Sequence, residues 1–514
     1  MTDAVEVGVG PLAISDVVAV ARADAKVVLA DDAVTAIKRS RAAVEVLAAA
    51  TTPAYGISTG FGALATRHIP AEMRAQLQKS LVRSHAAGSG PEVEREVVRA
   101  LMLLRLSTLA TGHTGIGLET AQALAGLLNH GITPVVREYG SLGCSGDLAP
   151  LAHCALVLMG EGDAHDSDGV LRPSADVLAA AGLQPVALEA KEGLALINGT
   201  DGMLGMLVLA IHDLRALLQT ADVAAAMSVE GLLATDRVFA ADLQELRPHP
   251  GQALSAANLS ALLADSGVVA SHRGPDCNRV QDAYSLRCAP QVLGAARDTV
   301  EYAATVAGRE LAAAVDNPVV LGDGRVESNG NFHGAPVAYV LDFLAIPVAD
   351  VASMSERRTD RFLDPSRNSG LPAFLAGDPG VDSGHMIAQY TQAAIVSELK
   401  RLANPASVDS IPSSAMQEDH VSMGWSSARK LRRAIDGLSR VLAIEILTAA
   451  RGLDLRAPLS PAPGTGAVIA ALRERVPGPG PDRHLSPDIE SAVDLVRSGA
   501  LLVAAQSGLR TPLA

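Results

Sequence analysis

Aromatic residues and cysteines are scarce in this sequence, which limits the kinds of hydrophobic core, cross-link and metal site that the chain can form. Only 3% of the 514 residues are aromatic, so an interior drawn from the 48% hydrophobic content has to be mainly aliphatic. Such a composition is typical of a globular protein built from closely packed helices. The four cysteines are too few to stabilise a chain of this length through disulfide bonds, and they lack the Cys-x-x-Cys spacing of a zinc site. We therefore expect reduced thiols and no metal centre.

Basic residues are in the minority, since 42 Lys and Arg stand against 56 Asp and Glu. The resulting formal charge of −14 has the wrong sign for attraction to nucleic acid or to an anionic membrane. The start Met1–Glu6 is acidic where a secretory signal has a basic segment, and no unbroken apolar stretch reaches the roughly 18 residues of a spanning helix. Walker, dinucleotide, calcium-loop and zinc-protease motifs are missing. We expect a cytoplasmic protein with no nucleic-acid or membrane partner and no external cofactor.

Apolar residues spaced three or four apart predict long helices. The longest stripe runs from Leu431 to Leu453, with Ser426 or Ser427 as candidate caps and Pro458 beyond its end. The same spacing recurs between residues 207 and 218, and the Ala-rich segments 292–316 and 386–403 are further predicted helices. The sequence therefore predicts a mainly α fold.

Strand signals are few, and we expect only minor β hairpins. Val319–Leu321 and Arg325–Glu327 flank Gly322-Asp323-Gly324, which predicts a tight hairpin turn, and a second hairpin is expected within 158–173. Segments rich in Pro and Gly, among them 364–384 and 457–487, are predicted connections. We expect an N-terminal part over 1–205 that carries the glycine-rich loop considered next, a long central helical bundle over 206–455, and a C-terminal helical segment over 456–514.

The most unusual local sequence runs from Gly140 to Pro150, where three glycines fall within seven residues and Ser145 directly precedes Gly146. Ser145 is either a nucleophile in a tight turn or part of a backbone cyclisation in which the Gly146 nitrogen attacks the Cys144 carbonyl. Loss of two waters would then leave a methylidene on an imidazolone ring, an electrophile made without an added cofactor. A serine-hydrolase elbow needs glycine at 147, where Asp stands. A glycine-rich turn without chemistry is the third possibility.

The run at 140–153 resembles the signature of the histidine/phenylalanine ammonia-lyase family, whose members form a methylidene-imidazolone (MIO) group at this tripeptide. Six further blocks resemble family segments in the family's order: Tyr55–Gly62, Ser84–Gly88, Asn198–Thr200, Gln281–Arg287, Gly330–His333 and Gln417–His420. The resemblance covers the chain from roughly residue 50 to beyond 450. The resemblance implies a carbon–nitrogen lyase whose only cofactor is an MIO group formed autocatalytically from Cys144-Ser145-Gly146.

The resemblance also assigns roles for eliminating an amine, a reaction that needs both an electrophile and a base. The methylidene derived from Ser145 is the electrophile, Asn198 hydrogen-bonds the carbonyl oxygen of the MIO group, and Phe332 packs against that group. Tyr55 and Tyr284 are the candidate proton-transfer groups, and family precedent favours Tyr55 for the β-proton. Sequence alone leaves the assignment between the two tyrosines open.

Substrate recognition follows from the same blocks. Arg287 can grip a carboxylate with two parallel hydrogen bonds, and Gln281 orients the same end of the substrate. An imidazole ring has two nitrogens that need polar partners, and the ring positions of the family are here the polar His85 and Glu418, with Met386 near them. The resemblance therefore implies L-histidine as substrate and trans-urocanate as product, the first step of histidine degradation.

Other outcomes stay open at this point. A tyrosine or phenylalanine ammonia-lyase, or an aminomutase, would use the same MIO chemistry, and a silent helical scaffold would leave the loop immature. This chain also departs from the family pattern, with Cys144 where many members have Ala and His385 where an apolar residue is common. Finally, the resemblance implies a homotetramer in which each active site draws residues from three subunits.

Overall fold

The computed structural model describes residues 4–50, 53–60, 62–64, 66–274, 277 and 280–514, and in these residues it is mainly α-helical, as predicted. The helices, in chain order, are α1 Ile14–Ala23, α2 Asp31–Ala49, α3 Arg74–His85, α4 Arg95–Ala110, α5 Leu118–Asn129, α6 Leu148–Leu158, α7 Ser174–Ala180, α8 Glu192–Ile197, α9 Asp201–Gly231, α10 Ala241–Glu245, α11 Pro250–Leu262, α12 Gly267–Ala270, α13 Tyr284–Arg287, α14 Ala289–Leu311, α15 Ala335–Leu363, α16 Met386–Leu402, α17 Gly424–Asp454, α18 Pro463–Arg473, α19 Ser486–Arg497 and α20 Ala500–Ser507.

The strands are short and form small separate sheets. They are β1 Val5–Val7, β2 Val27–Leu29, β3 Ser89–Glu92, β4 Thr133–Pro134, β5 Arg137–Tyr139, β6 Asp163–His165, β7 Leu171–Pro173, β8 Val319–Val320 and β9 Val326–Glu327. Strands β1 and β2 pair in parallel, whereas β3–β5, β4–β6–β7 and β8–β9 are antiparallel. Both predicted hairpins are confirmed, as β6–β7 and β8–β9.

The longest predicted stripe is confirmed as α17, whose residues Leu431, Leu438, Leu442 and Leu453 are all buried. This helix begins at Gly424, two residues before the first candidate cap. Helix α16 ends one residue before its predicted end at 403.

Helix α14 ends at Leu311, five residues before its predicted end at 316. The chain leaves the helix because its next backbone and side-chain groups have partners elsewhere. The carbonyl of Val315 accepts a hydrogen bond from Arg105, and the carboxylate of Asp316 pairs with Lys191. Pro318 follows closely, and a proline disfavours helical geometry in the residue before it.

The prediction of a connection over 457–487 is wrong in its middle, where α18 lies. Pro463 is the first residue of that helix. A proline is compatible with the first helical turn, because the N–H that it lacks would have had no partner within the helix. Counting Pro and Gly as loop formers therefore missed a helix that begins with Pro463-Gly464.

The chain forms two compact units, each described here by itself. The first unit contains Met1–His212, Ala304–Asp342 and Pro405–Arg429, and the second contains Asp213–Ala303, Phe343–Asn404 and Lys430–Ala514. In the first unit every residue of α4 from Val97 to Ala110 is buried, which makes α4 its central helix. In the second unit the buried carboxylate of Glu445 binds the buried guanidinium of Arg358.

Among the described residues, one helix has the length and composition to cross a membrane. This helix is α15, and 61% of its most apolar window is buried inside the protein. Burial of that extent is typical of a core helix.

Candidate active site

The Cys144-Ser145-Gly146 tripeptide lies in a tight loop between β5 and α6. Gly143 and Gly146 form an antiparallel bridge across it, and Gly146 also pairs in parallel with Gly199. Ser145 has a φ of 51° and Gly146 a φ of 80°, both in the left-handed region. A Cβ at Gly146 would lie 1.9 Å from the carbonyl oxygen of Gly199. Only glycine fits this position.

Asp147, the next residue, ties the loop to the start of α9. Its fully buried carboxylate accepts hydrogen bonds from the Ser141 hydroxyl and from the Met203 amide, both at 2.8 Å. Its own amide donates to the Gly199 carbonyl at 2.7 Å. Burial raises the pKa of Asp147 to about 7, and the hydrogen bonds oppose that rise. Asp147 stands inside the sequence motif, but nothing in the motif indicates this anchoring role.

The start of α17 packs against the other side of the loop. The amide of Met423 donates to the carbonyl of Leu142 at 3.0 Å. Two residues later Trp425 is buried, and its indole Nε1 donates to the Glu138 carbonyl at 2.7 Å. The edge of this ring occupies the space beside Gly202, where an added Cβ would lie 2.5 Å from it. The loop is therefore held between the starts of α9 and α17.

Asn198 immediately precedes Gly199 and is buried. Its Nδ2 donates to the Asp316 carboxylate at 3.2 Å and to the Asn317 carbonyl at 2.9 Å, while its Oδ1 has no hydrogen-bond partner in the part of the chain that the structure describes. Asp316 also pairs with the buried Lys191 at 2.6 Å. Burial lowers the pKa of Lys191, and the Asp316 charge opposes that shift. Arg105 holds the Asn198 carbonyl at 2.7 Å, so the backbone and side chain of Asn198 are both anchored.

His85 and Glu418, the two predicted ring contacts, belong to the same unit as the tripeptide, and the Glu418 charge acts on both His85 and Cys144. His85 is half-buried at the end of α3, and its Nδ1 is 2.9 Å from the Leu81 carbonyl. Burial lowers the pKa of His85, and the Glu418 charge acts in the opposite direction. Glu418 accepts a hydrogen bond from the Ser413 hydroxyl at 3.0 Å. Burial, together with the charge of Glu418, raises the pKa of the Cys144 thiol to about 12.

Tyr55 and Phe332 belong to the same unit and are half-buried. The Tyr55 hydroxyl accepts a hydrogen bond from the Gly62 amide at 3.4 Å. The neighbour of Phe332, His333, stacks its ring on His420 with centroids 5.6 Å apart and planes 6° from parallel. Two blocks that are far apart in the sequence, 330–333 and 417–420, therefore meet. Position 61, within the first block, lies outside the described residues.

The remaining predicted residues lie in the second unit. The Nη2 of Arg287 donates to the Gln281 side chain at 2.9 Å, and its guanidinium lies 4.7 Å from the centroid of the Tyr284 ring. Tyr284 is 70% exposed in the chain taken alone. Met386 begins α16 and is half-buried, whereas His385 is buried, and burial lowers its pKa to about 3. His385 is thus a neutral interior side chain of its unit.

The structure therefore groups the predicted residues by unit. It places Cys144, His85 and Glu418 in the first unit and pairs Gly146 with Gly199, the residue after Asn198. The anchoring residues that the sequence analysis missed are Ser141, Asp147, Arg105, Lys191, Asp316 and Ser413. Only Ser141 and Asp147 could have been found from sequence, because they lie inside the quoted motif. Arg105, Lys191 and Asp316 are distant in the chain from the groups that they hold, and Ser413 stands outside the quoted block, five residues before Glu418.

A sequence profile described as aromatic amino acid lyase matches residues 12–474. The chain belongs to the aromatic amino acid lyase family. Among curated relatives of this family, the histidine ammonia-lyase of Streptomyces coelicolor is 65% identical over 504 residues, which cover 98% of each chain. The predicted family is thereby confirmed.

Solved structures of aromatic amino acid lyase relatives share the fold over nearly the whole chain. The tyrosine aminomutase from Streptomyces globisporus aligns with a TM-score of 0.94 at 38% identity, covering 99% of this chain and 100% of that one. The histidine ammonia-lyase from Trypanosoma cruzi aligns with a TM-score of 0.90 at 39% identity, covering 98% and 95%. A mutase and a lyase both share this fold, so residues in the site have to decide between outcomes.

Proposed function

We propose that this protein eliminates ammonia from L-histidine to give trans-urocanate, the first step of histidine degradation. The observation that carries the proposal is the polar pair His85 and Glu418 in the unit that holds the tripeptide, because imidazole needs polar partners that a phenyl ring does not. The 65% identity to a histidine ammonia-lyase, against 38% to a tyrosine aminomutase, supports the same choice. A cytoplasmic location without nucleic-acid or membrane partners stays a prediction from composition.

Cys144-Ser145-Gly146 is the proposed source of an MIO group. That group would supply the electrophile that makes the amine a better leaving group. The loop fits this maturation because Gly146 has no room for a side chain and Ser145 already has a left-handed φ. Asn198 offers a buried polar atom without a partner beside this loop. Its expected donation to the carbonyl oxygen of the group stays a prediction, since both amide hydrogens are directed at other acceptors here.

Proton removal and carboxylate binding are assigned to separate groups. The Tyr55 oxygen would take the β-proton, and the Gly62 amide that donates to it would stabilise negative charge on that oxygen. Arg287 would bind the substrate carboxylate, with Gln281 fixing the guanidinium from one side. Tyr284, whose ring lies under the same guanidinium, would serve the leaving group.

Phe332 and Met386 are the proposed apolar contacts of the bound substrate and its cofactor. Each is half-buried and so keeps part of its side chain accessible. Phe332 would pack against the MIO group, and Met386 would lie against the substrate.

A homotetramer with shared active sites is part of the proposal. The second unit leaves several large apolar side chains 45–58% exposed, and an exposed apolar area of this kind marks an interface. They are Tyr302, Phe343, Ile346, Ile387 and Tyr390. Sedimentation or light scattering should give the mass of four chains, and a monomer that turns over histidine would refute shared sites.

A substrate panel tests the reaction. Purified protein given L-histidine, L-phenylalanine and L-tyrosine separately should form urocanate from the first and little product from the others. Cinnamate or coumarate as the dominant product would overturn the assignment, and a β-amino acid would identify an aminomutase. Mature protein should also be lighter than its sequence by two waters, about 36 Da, and Ser145→Ala should lose both that change and turnover.

Ring recognition has a test of its own. His85→Leu with Glu418→Gln should lower kcat/KM for L-histidine while the intact mass still shows the loss of two waters. His165→Leu with Glu92→Gln is a matched control, because these residues form a His–Glu pair at 2.8 Å elsewhere in the first unit. Equal losses in both double variants would mean that the pair at the tripeptide has no special role.

A further inference from the structure

The segment that leads to Glu418 contains three consecutive residues in the left-handed region. Ser414, Ala415 and Met416 have φ values of 51°, 53° and 67°. None of them is glycine, and an L-residue in this region brings its Cβ too close to the following carbonyl oxygen. Among the residues that the structure describes, no other run of non-glycine residues with positive φ is as long. An unfavourable conformation of this kind persists only where neighbouring contacts impose it.

The contacts that impose it come from the two ends of the segment. Ser413 and Glu418 pair as an antiparallel bridge. The Ser413 amide donates to the Glu418 carbonyl at 3.0 Å, and the Glu418 amide donates to the Ser413 carbonyl at 3.3 Å. Ser413 itself has extended backbone, with φ −140° and ψ −179°. Residues 413–418 therefore form a closed turn, which we call the glutamate turn.

A third hydrogen bond across the glutamate turn fixes a side chain. The Ser413 hydroxyl donates to Oε2 of Glu418 at 3.0 Å. The bridge thus holds the backbone of Glu418, and the hydroxyl holds one oxygen of its carboxylate. Hydrogen bonds to a charged acceptor are stronger than those between neutral groups. An ionised carboxylate accepts more hydrogen bonds than one hydroxyl supplies, so Glu418 keeps the capacity to accept from an imidazole N–H.

We propose that the glutamate turn is a preorganised support for ring recognition, in which Ser413 is a positioning residue that holds the Glu418 carboxylate towards the N–H of the substrate imidazole. This inference rests on the proposed function, because Glu418 has to be a ring contact for its orientation to matter. A carboxylate that is already held loses less freedom when the substrate binds, so more of the interaction free energy appears as affinity. A serine that only closed the backbone bridge would be replaceable by alanine without loss.

The first experiment removes or keeps the hydroxyl of Ser413. Ser413→Ala should raise KM for L-histidine about three- to tenfold and leave kcat within about twofold, because a ring contact acts in the ground state and in the transition state alike. Ser413→Thr keeps a hydroxyl and suits extended backbone, so its KM should stay within about twofold of that of the parent protein. Ser266→Ala is the matched control, because its hydroxyl also donates to a glutamate, Oε1 of Glu230 at 2.5 Å in the second unit, and its KM should be unchanged.

Substitutions at Ala415 test the strained backbone. Its side chain is exposed in the chain taken alone, so a change there acts mainly on backbone preference. Ala415→Gly adopts a φ of 53° without strain and should keep KM within about twofold. Ala415→Val places a β-branched side chain where it is strongly disfavoured, so the turn should open and KM should rise at least about threefold. Intact mass should still show the loss of two waters in both variants, and a valine variant with the parent KM would mean that the turn does not set the carboxylate.

A double-mutant cycle separates this inference from the proposed function. In a Glu418→Ala background, Ser413→Ala should change kcat/KM less than about twofold, because the hydroxyl has no carboxylate left to hold. Equal losses in both backgrounds, an unchanged KM in Ser413→Ala, or a loss in Ser413→Thr equal to that in Ser413→Ala would overturn the inference. If Glu418→Ala by itself leaves histidine turnover unchanged, the ring pocket of the proposed function fails instead.

Discussion

Gly146→Ala places a methyl carbon 1.9 Å from the carbonyl oxygen of Gly199 and 2.2 Å from the carbonyl carbon. These atoms are backbone, so no side-chain rotation can relieve the clash. Moving the Gly199 carbonyl away would also break its hydrogen bond with the Asp147 amide, which is 2.7 Å long. The substitution therefore acts on the strand-like contact between Gly146 and Gly199.

Three costs add at this position. An L-residue at a φ of 80° costs about 1–2 kcal/mol, the overpacking costs about 1–3 kcal/mol, and a buried group left without its hydrogen bond costs about 1–3 kcal/mol. A total of about 3–8 kcal/mol is comparable with the whole stability of a typical domain. The loop should yield before the fold does, so we expect a helical protein whose tripeptide cannot hold the geometry that cyclisation needs.

Intact mass and thermal unfolding measure the two consequences separately. Gly146→Ala should keep the full mass of its sequence and show no urocanate formation. Gly169→Ala is the matched control, because Gly169 has a φ of 77° but no described atom within 4 Å of an added Cβ. The control bears the strain without the clash, so it should mature, turn over histidine normally and lose about 1 kcal/mol of stability.

Two results would refute this reasoning. A Gly146→Ala protein that loses two waters and is active would mean that the loop is looser than the Gly199 contact indicates. A Gly169→Ala protein that fails to mature would mean that backbone strain, and not the contact at the tripeptide, controls the outcome.

Other predictions concern buried charges. Folding raises the pKa of Asp147 from 3.8 to about 7. The stability that this residue contributes is therefore full below about pH 4 and falls as the pH rises to 7. In melting curves from about pH 5 to 7.5, the stability of Asp147→Asn relative to the parent protein should therefore increase with pH. Lys191→Met leaves the Asp316 carboxylate buried without its cation and should cost about 3–5 kcal/mol, read from urea unfolding. At pH 8 only about one Cys144 thiol in ten thousand is ionised, so iodoacetamide should label the exposed Cys277 and spare Cys144 in peptide mapping.

Local patterns were enough to predict several parts of this molecule. The stripe from Leu431 to Leu453 fixed α17 because one helix face repeats its burial over six turns, and the glycine pair at 322 and 324 marked the β8–β9 turn. The blocks 330–333 and 417–420 were recognised separately, and the structure stacks His333 of one on His420 of the other. Such blocks can be recognised because the residues of each block are adjacent in the sequence.

Long-range polar contacts were beyond the reach of sequence patterns. Lys191 is 125 residues from Asp316, and Asn198 is 118 residues from it, so nothing near any of them indicates the network. Arg105 lies in an otherwise apolar stretch of α4, where a charge interrupts the helical pattern and its partners come from 198 and 315. Distant partners of Val315 and Asp316 likewise end α14 before its predicted end. A count of helix-forming residues does not detect such partners.

The chain has one tryptophan, and the fold buries it, 2% exposed, beside the start of α9 and the segment that contacts the glycine-rich loop. Its indole N–H is bound to a backbone carbonyl at 2.7 Å, so the ring is held in a fixed, dry environment. Trp425 is therefore an intrinsic fluorophore in the wall of the catalytic region. Its emission should shift to longer wavelength when water enters there, and a refolding or maturation experiment can follow this one region, unlabelled, within a chain of 514 residues.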